Sequence, residues 1–155
     1  MTAGVDHGLP RDSSLGYQVN HLARLMASAL RDALKPYGVV PGQFAQLLAL
    51  YEADGLTQAE LCERVRVEQP TMANTLARMQ RDGLITRTAD PDDGRRSLVI
   101  LTDKARALEP QLIAAARSVN ESAVAGLSAA EASSFMRSMA RVIARLESPS
   151  AEPSV

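Results

Sequence analysis

Arginine is concentrated in the middle of this 155-residue chain. Residues 64–96 contain seven arginines against five acidic residues, whereas the rest of the chain has ten basic residues against thirteen acidic ones. A mildly basic segment between acidic flanks suits a negatively charged partner, although charge runs of this kind are also typical of an ordinary solvated surface. The positions of the individual arginines therefore matter more than their number.

Two of these arginines follow a segment dense in turn-forming residues, Asp90-Pro91-Asp92-Asp93-Gly94. A guanidinium on a thin projection can enter the minor groove of double-stranded DNA, whose negative potential deepens where the groove narrows. We therefore expect Arg95 and Arg96 to contact DNA from the exposed tip of a hairpin. Asp93 is poorly suited to touch DNA, and we expect its carboxylate to hold Arg95 in shape through a charge-assisted bond. The alternative is a turn that Asp93 stabilises without any ligand.

A short helix predicted from Pro70 carries its apolar residues on one side, at helical spacing: Met72, Leu76 and Met79. An α-helix fits the major groove of DNA, where outward side chains meet base edges. In this helix Asn74 could pair with adenine, and Arg78 could reach a guanine edge or a phosphate. Asn74 is equally compatible with an ordinary helix surface or a phosphate contact.

Polar side chains at the starts of this helix and of the helix before it can meet phosphate groups, because helix N-termini attract anions. Small residues in the outward face let the backbone approach the DNA closely. Together these arguments predict contacts with double-stranded DNA from ten residues: Thr57, Gln58, Gln69, Thr71, Ala73, Asn74, Arg78, Arg81, Arg95 and Arg96.

The elements that position these side chains are visible in the hydrophobic spacing. It predicts one helix from Leu15 to about residue 35 and another from Pro41 to residue 54. Thr57 and Glu60 form a capping box at the start of a short helix, and Gly83 ends the helix that follows it. Residues 84–88 and 97–101 alternate as strands of one hairpin. Two short helices around a tight turn followed by a hairpin make a winged helix.

Two further helices are predicted after the hairpin. Thr102 caps a long helix that runs to about Val124, and Ser128 with Glu131 forms a second capping box. The last helix has the four-three-four spacing of a coiled-coil seam at Phe135, Met139, Val142 and Leu146. The predicted fold class is therefore mainly α with a small β-hairpin, a winged helix-turn-helix between N- and C-terminal helices.

Composition argues against several functional classes. The single cysteine, Cys62, and two histidines, His7 and His21, offer neither a disulfide nor a metal site, and we expect no cofactor. The chain has no Ser-His-Asp set and no phosphate-binding glycine loop, so we expect that the protein is not an enzyme. Aromatic residues are only 3%, too few for a single-strand nucleic-acid platform. Without a run of about 18 apolar residues we expect no membrane partner and a cytoplasmic location.

The motifs also resemble those of the MarR family of bacterial transcription regulators. The resemblance covers about residues 15–146, and its most specific part is the hairpin motif Asp93-x-Arg95 ahead of Leu101-Thr102. Further matching stretches are Leu56-Thr57-Gln58-Ala59-Glu60-Leu61, Thr71, Leu76, Arg78, Asp82-Gly83-Leu84-Ile85 and Asp90-Pro91-Asp92-Asp93-Gly94.

The resemblance implies a homodimer that binds a pseudo-palindromic operator and acts as a repressor released by a small phenolic or anionic ligand. It implies one domain over 14–147, in which a winged helix-turn-helix (about 41–101) lies between dimerisation helices (about 14–35 and 103–147). Residues 1–13 and 148–155 are expected to be flexible tails. The groups best placed to line a ligand pocket are Tyr17, His21, Arg24, Phe44 and Leu47.

Two departures and two alternatives accompany this interpretation. The first helix lacks the reactive cysteine of redox-sensing relatives, and Pro70 replaces a small hydroxyl residue, so Gln69 or Thr71 must supply that contact. One alternative is a winged helix that binds protein rather than DNA. The other is a thiol-based redox regulator that uses Cys62, although a small packing residue is the simpler interpretation of that cysteine.

Overall fold

The computed structural model describes residues 8–148; residues 1–7 and 149–155, including His7 and most of both predicted tails, lie outside the described residues. The chain divides after Val119 into two compact units, whose described parts are 8–119 and 120–148. Within residues 8–148 no helix is long and apolar enough to cross a membrane. The same residues contain no group of three or more His, Cys, Asp or Glu side chains placed to hold a metal ion.

Helices form most of the described structure. The elements in chain order are α1 (Leu15–Leu34), α2 (Pro41–Glu52), β1 (Leu56–Thr57), α3 (Gln58–Val65), α4 (Gln69–Arg81), β2 (Ile85–Ala89), β3 (Ser97–Leu101), α5 (Asp103–Ala123) and α6 (Ala129–Glu147). Short 3-10 turns occupy Arg11–Ser13 and Lys35–Tyr37. The first of these lies in the segment predicted to be a flexible tail, where the backbone N–H of Ser13 donates to the Pro10 carbonyl.

Both predicted capping boxes are present. At the start of α3 the Thr57 hydroxyl accepts from the Glu60 N–H at 3.2 Å, and the Glu60 carboxylate accepts from the Thr57 N–H at 2.7 Å. Ser128 and Glu131 repeat the arrangement at the start of α6, with distances of 3.2 and 2.7 Å. Each box satisfies backbone donors that a helix start leaves free, which fixes where α3 and α6 begin.

The predicted hairpin is part of a three-stranded antiparallel sheet with the order β1-β3-β2. In β2 the strand begins one residue later than the sequence predicted, and β3 matches its prediction. The third strand, β1, corrects the expected two-stranded hairpin: Leu56 pairs with Val99, and Thr57 pairs with Leu98. A two-residue strand has no periodicity to reveal it, yet it attaches the hairpin to the start of α3.

The turns around α4 set its length. Arg66 adopts the left-handed conformation (φ 57°) at the end of α3, so the tight turn before α4 is made by a residue other than glycine. Gly83 (φ 73°) ends α4, as predicted, and the Leu84 N–H donates to the Met79 carbonyl across it. Left-handed residues therefore end both α3 and α4, while α4 itself begins after the extended residue Glu68.

The core of the unit formed by residues 8–119 is continuous and centres on α2. It contains Leu34, Val39, Phe44, Leu47, Ala49, Leu50, Leu56, Leu61, Met72, Leu76, Met79, Leu84, Ile85, Val99, Leu101, Ala105 and Leu112. Gln43 is also buried, and its amide donates to the Asp82 carboxylate at 2.8 Å. This bond joins α2 to the end of α4, so the helix expected to meet DNA is anchored by a polar contact as well as by packing.

Asp54 joins the end of α2 to β3 and to the start of α5. One carboxylate oxygen accepts from the N–H groups of Gly55 (2.9 Å) and Leu101 (3.0 Å). The other accepts from the Arg106 guanidinium at 2.6 Å. Beside it the Tyr51 hydroxyl donates to the Ala105 carbonyl at 2.6 Å. We call this group of contacts the Asp54 junction.

Candidate nucleic-acid interface

The exposed face of α4 combines small side chains with polar and charged ones. Met72, Leu76 and Met79 are fully buried, as the sequence predicts. The opposite side is exposed and holds most of the residues expected to meet DNA: Gln69, Thr71, Ala73, Asn74, Arg78 and Arg81. Two alanines, Ala73 and Ala77, keep the face low between the longer side chains. This shape matches a helix that approaches base edges closely in a major groove.

A chain of side-chain hydrogen bonds links α3, α4 and β2. The Gln58 amide donates to the Gln69 side-chain oxygen at 3.0 Å, and the Arg87 guanidinium donates to the Gln58 side-chain oxygen at 3.3 Å. These contacts place the first residue of α4 beside the sheet. Arg87 was missed by the sequence reasoning, although its outward position in a strand of the basic segment was a signal.

The turn between β2 and β3 is closed by its own backbone and carboxylates. The Asp90 N–H donates to the Arg96 carbonyl, and the Arg96 N–H donates to the Asp93 carbonyl, both at 2.9 Å. The Asp93 carboxylate accepts from the backbone N–H of Arg95 at 3.1 Å. Asp93 therefore acts on the Arg95 backbone and not on its guanidinium, because a side chain two residues earlier in a turn reaches the backbone first.

Arg95 and Arg96 have different surroundings. Arg95 is exposed, and its guanidinium forms no ion pair with any residue from 8 to 148. The Arg96 guanidinium lies 3.7 Å from a Glu60 carboxylate oxygen and 3.8 Å from an Asp90 carboxylate oxygen. Arg96 therefore departs from the expected free position at the tip, because two carboxylates hold it at the base of the turn.

Glu60 takes part in both the helix cap and this ion pair. The backbone and hydroxyl hydrogen bonds from Thr57 are the main causes that lower the pKa of Glu60 below its ordinary value of 4.5. The positive charges of Arg96 and Arg64 lower that pKa further. The carboxylate is thus ionised at neutral pH, and it places a negative charge next to a predicted DNA-contacting surface.

These groups border an open cleft of about 570 Å³ in the unit formed by residues 8–119. It is lined by Thr57, Gln58, Ala59, Glu60, Glu63, Gln69, Arg87, Arg96 and Ser97. The cleft brings four of the ten predicted DNA contacts together: Thr57, Gln58, Gln69 and Arg96. Its charges are mixed, since two acidic side chains face two arginines.

The five residues expected to line a ligand pocket differ in their burial. Phe44 and Leu47 are 4% and 0% exposed and belong to the core, so they offer almost no surface to a ligand. Tyr17, His21 and Arg24 lie exposed on α1, where the rings of Tyr17 and His21 are 6.4 Å apart. The two residues of α2 face inward because the core needs their apolar side chains, and the grouping of all five residues around a ligand stays a prediction.

Cys62 is half-buried in α3. Burial is the main cause that raises the pKa of its thiol, and the negative charge of Glu68 raises it further. A reactive thiol needs the opposite surroundings, with an exposed sulfur near positive charge. The geometry therefore favours a packing role for Cys62 over redox sensing.

Comparison with known sequences identifies relatives that are transcription regulators. A sequence profile of the MarR family matches residues 37–96. An uncharacterised helix-turn-helix transcriptional regulator of Bacillus subtilis, YwoH, is 34% identical over 57% of this chain and 64% of its own length. The transcriptional repressor Mb2911 of Mycobacterium bovis is 28% identical over 87% of this chain and 97% of its own.

Solved structures extend the similarity to nearly the whole described chain. A probable transcriptional regulator from Pseudomonas aeruginosa is 32% identical and superposes with a TM-score of 0.80 over 86% of this chain and 99% of its own. The PcaV transcriptional regulator of Streptomyces coelicolor, solved with its natural ligand, is 28% identical, with a TM-score of 0.76 over 88% of this chain and 96% of its own. The shared fold, the matching sequence profile and the hairpin motif Asp93-x-Arg95 all indicate one family: this chain belongs to the MarR family of transcription regulators.

Proposed function

We propose that this protein is a homodimeric repressor that binds a pseudo-palindromic operator in double-stranded DNA. The observation that carries the proposal is the exposed face of α4, small and polar, opposite three fully buried apolar residues. The bonds from Gln58 to Gln69 and from Arg87 to Gln58 support it further. They hold the start of this helix beside the sheet that carries Arg95. The similarity to Mb2911, a named repressor, supports the direction of regulation.

Within this interface we assign separate roles to the predicted residues. Asn74 and Arg78 read base edges in the major groove, and Arg95 enters the minor groove. Thr57, Gln58, Gln69, Thr71 and Arg81 contact phosphate groups, while Ala73 permits close approach of the helix. Asp93 fixes the backbone of the turn from which Arg95 projects.

Unpaired apolar faces support the homodimer. On α1 the exposed apolar side chains are Leu15, Val19, Leu22 and Leu25. On α6 they are Phe135, Met136, Met139, Val142, Ile143 and Leu146. A monomer rarely exposes apolar side chains in such contiguous rows, and a second copy of the chain is the partner that would cover them. Sedimentation analysis should give twice the mass of the chain, and the double substitution Met139→Glu and Val142→Glu should give a monomer.

DNA binding is tested by gel shift with the DNA that flanks the gene and by selection from a random pool of duplexes. We expect a protected site of about 16–20 base pairs, with half-sites about one helical turn apart. Affinity should fall steeply as salt rises, because the interface releases counterions. Failure to enrich any sequence would favour the protein-binding alternative, and a flat salt response would contradict the proposal.

Two substitutions separate the assigned roles. Arg95→Ala should weaken binding to all operators by about tenfold or more, whereas Asn74→Ala should relax the preference at particular base pairs. Arg31→Ala, which removes an exposed arginine from the last turn of α1, serves as the matched control and should leave affinity within about twofold. An unchanged affinity of Arg95→Ala would show that the minor-groove role is wrong.

A small phenolic or anionic ligand is the proposed inducer. PcaV, which was solved with its natural ligand, supports a ligand-responsive member, and α1 exposes a phenol, an imidazole and a guanidinium at Tyr17, His21 and Arg24. A hydroxybenzoate added to the protein–DNA complex should release the DNA, and Arg24→Ala should reduce that response. A complex that persists at millimolar concentrations of several hydroxybenzoates would contradict the proposed ligand class.

A further inference from the structure

Arg96 is attached to the fold through both its backbone and its side chain. Its carbonyl accepts from the Asp90 N–H, which closes the turn between β2 and β3. Its guanidinium lies between the carboxylates of Asp90 and Glu60, at 3.8 and 3.7 Å. Glu60 is itself fixed at the start of α3 by two hydrogen bonds with Thr57. A continuous set of contacts thus runs from the helix cap to the turn.

We propose that Arg96 is a positioning residue that holds the wing, residues 85–101, against α3 so that Arg95 projects toward the minor groove. The proposal rests on the proposed function, because the placement of the wing matters for activity only if the protein binds DNA. It reassigns Arg96 from the predicted contact with DNA to a contact within the protein.

The electrostatics favour this role over a phosphate contact. To reach a phosphate, the Arg96 guanidinium would have to leave two carboxylates, and the Glu60 carboxylate would then face the DNA with only the charge of Arg64 to offset it. Arg95, the adjacent residue, has no such partner among residues 8–148 and is free to project. The Arg96–Glu60 ion pair is half-exposed, and a pair of this kind changes an equilibrium by about 1.5- to 5-fold, which sets the expected size of the effect.

Glu60→Gln distinguishes the two roles by the sign of its effect on operator affinity. Glutamine keeps the acceptor of the capping box, so α3 should still begin at the same residue. If Arg96 positions the wing, losing one of its two carboxylate partners should weaken binding by about two- to fivefold, although the protein has become more positive. If Arg96 contacts phosphate, removing a nearby negative charge should strengthen binding.

The matched control is Glu63→Gln, which removes the same charge from the same helix at an exposed position three residues later. It should leave affinity unchanged or raise it slightly. Weaker binding by Glu60→Gln alone supports the positioning role, whereas stronger or unchanged binding overturns it. Thermal unfolding of each variant separates this effect from a general loss of stability.

A double-mutant cycle between Arg95→Ala and Arg96→Ala provides the second test. If Arg96 acts through Arg95, the loss caused by Arg95→Ala should be about two- to fivefold smaller when Arg96 is already absent. Independent contacts with DNA would instead give additive losses, and additivity within about 1.5-fold would overturn the proposal. This coupling is a readout that a merely structural residue, remote from Arg95, would not produce.

Hydrogen exchange without DNA separates failure of this proposal from failure of the proposed function. Breaking the ion pair in Glu60→Gln should speed exchange of the N–H groups of Asp92, Arg95 and Arg96, and leave those of α4 unchanged. If the wild-type protein binds no duplex at low salt, the proposed function fails. If it binds DNA but exchange in the turn is unaffected by Glu60→Gln, only the role of Arg96 is overturned.

Discussion

Replacing Asp54 by alanine should cost this protein more stability than the loss of a surface ion pair would. The Asp54 carboxylate accepts three hydrogen bonds, from Gly55, Leu101 and Arg106. Leu101 is only 5% exposed, so its N–H would be left without its acceptor in a site that water reaches poorly. The ion pair with Arg106 is only one part of the contribution.

The magnitude follows from these contacts. Leaving a buried N–H without a partner costs about 1–3 kcal/mol, and the bond from Gly55 adds about 0.5–1.5 kcal/mol. The Arg106 side chain is 49% exposed and that of Asp54 is 30% exposed, so solvent screening limits their ion pair to about 0.5 kcal/mol. We therefore expect Asp54→Ala to reduce the free energy of unfolding by about 2–5 kcal/mol, and Arg106→Ala to reduce it by about 0.5 kcal/mol.

Urea unfolding followed by circular dichroism at one fixed protein concentration measures these differences. Asp54→Asn keeps one oxygen acceptor for the backbone groups but loses the charge, and it should fall between the other two variants. Glu52→Ala removes an exposed carboxylate from the end of the same helix and should change the free energy of unfolding by less than about 0.5 kcal/mol. Equal losses for Asp54→Ala and Arg106→Ala would refute the reasoning, since the backbone bonds would then contribute nothing.

Three further outcomes are expected from the titratable groups. Hydrogen bonds from Ser128 lower the pKa of Glu131 below 4.5. The stability that the Glu131 carboxylate contributes is therefore present above pH 4.5 and is lost as the pH falls through the pKa of the folded state. Glu131→Gln should flatten the decline of the melting temperature between about pH 5 and 3. Burial, with a smaller contribution from Glu109, raises the pKa of Tyr51 to about 12. Ultraviolet titration should therefore show a transition near that pH that is absent in Tyr51→Phe. The stability that the neutral Tyr51 hydroxyl contributes should be lost as the pH rises from 10. The raised pKa of Cys62 predicts slow reaction with a disulfide reagent at pH 7 in the native protein and fast reaction in urea; equal rates would show that the thiol is accessible and not held by packing.

Local signals in the sequence predicted most of the elements. The capping boxes Thr57–Glu60 and Ser128–Glu131 use residues three apart, so both partners are visible in one short segment. Gly83 marks the end of α4 because its left-handed backbone favours glycine. The inner face of α4 followed from helical spacing alone, and its outer face then followed by exclusion.

Contacts between distant segments were not predictable in the same way. Glu60 and Arg96 are 36 positions apart, and only the sheet brings them together. The strand β1 has two residues and therefore no alternation to detect. Arg66 takes a left-handed backbone conformation that is usually adopted by glycine or asparagine, so its residue type did not predict the turn. The inward position of Phe44 likewise depended on which face of α2 the core would use.

Thr57 is both the last residue of β1 and the cap of α3, and this shared position restricts how the chain can change in length. An inserted residue between Leu56 and Gln58 would shift either the pairing with β3 or the start of the helix, because no spare residue separates the two elements. An insertion near Gly94 would only enlarge an exposed turn. An alignment of relatives should accordingly place its gaps at the hairpin tip and keep the stretch around Thr57 constant in length.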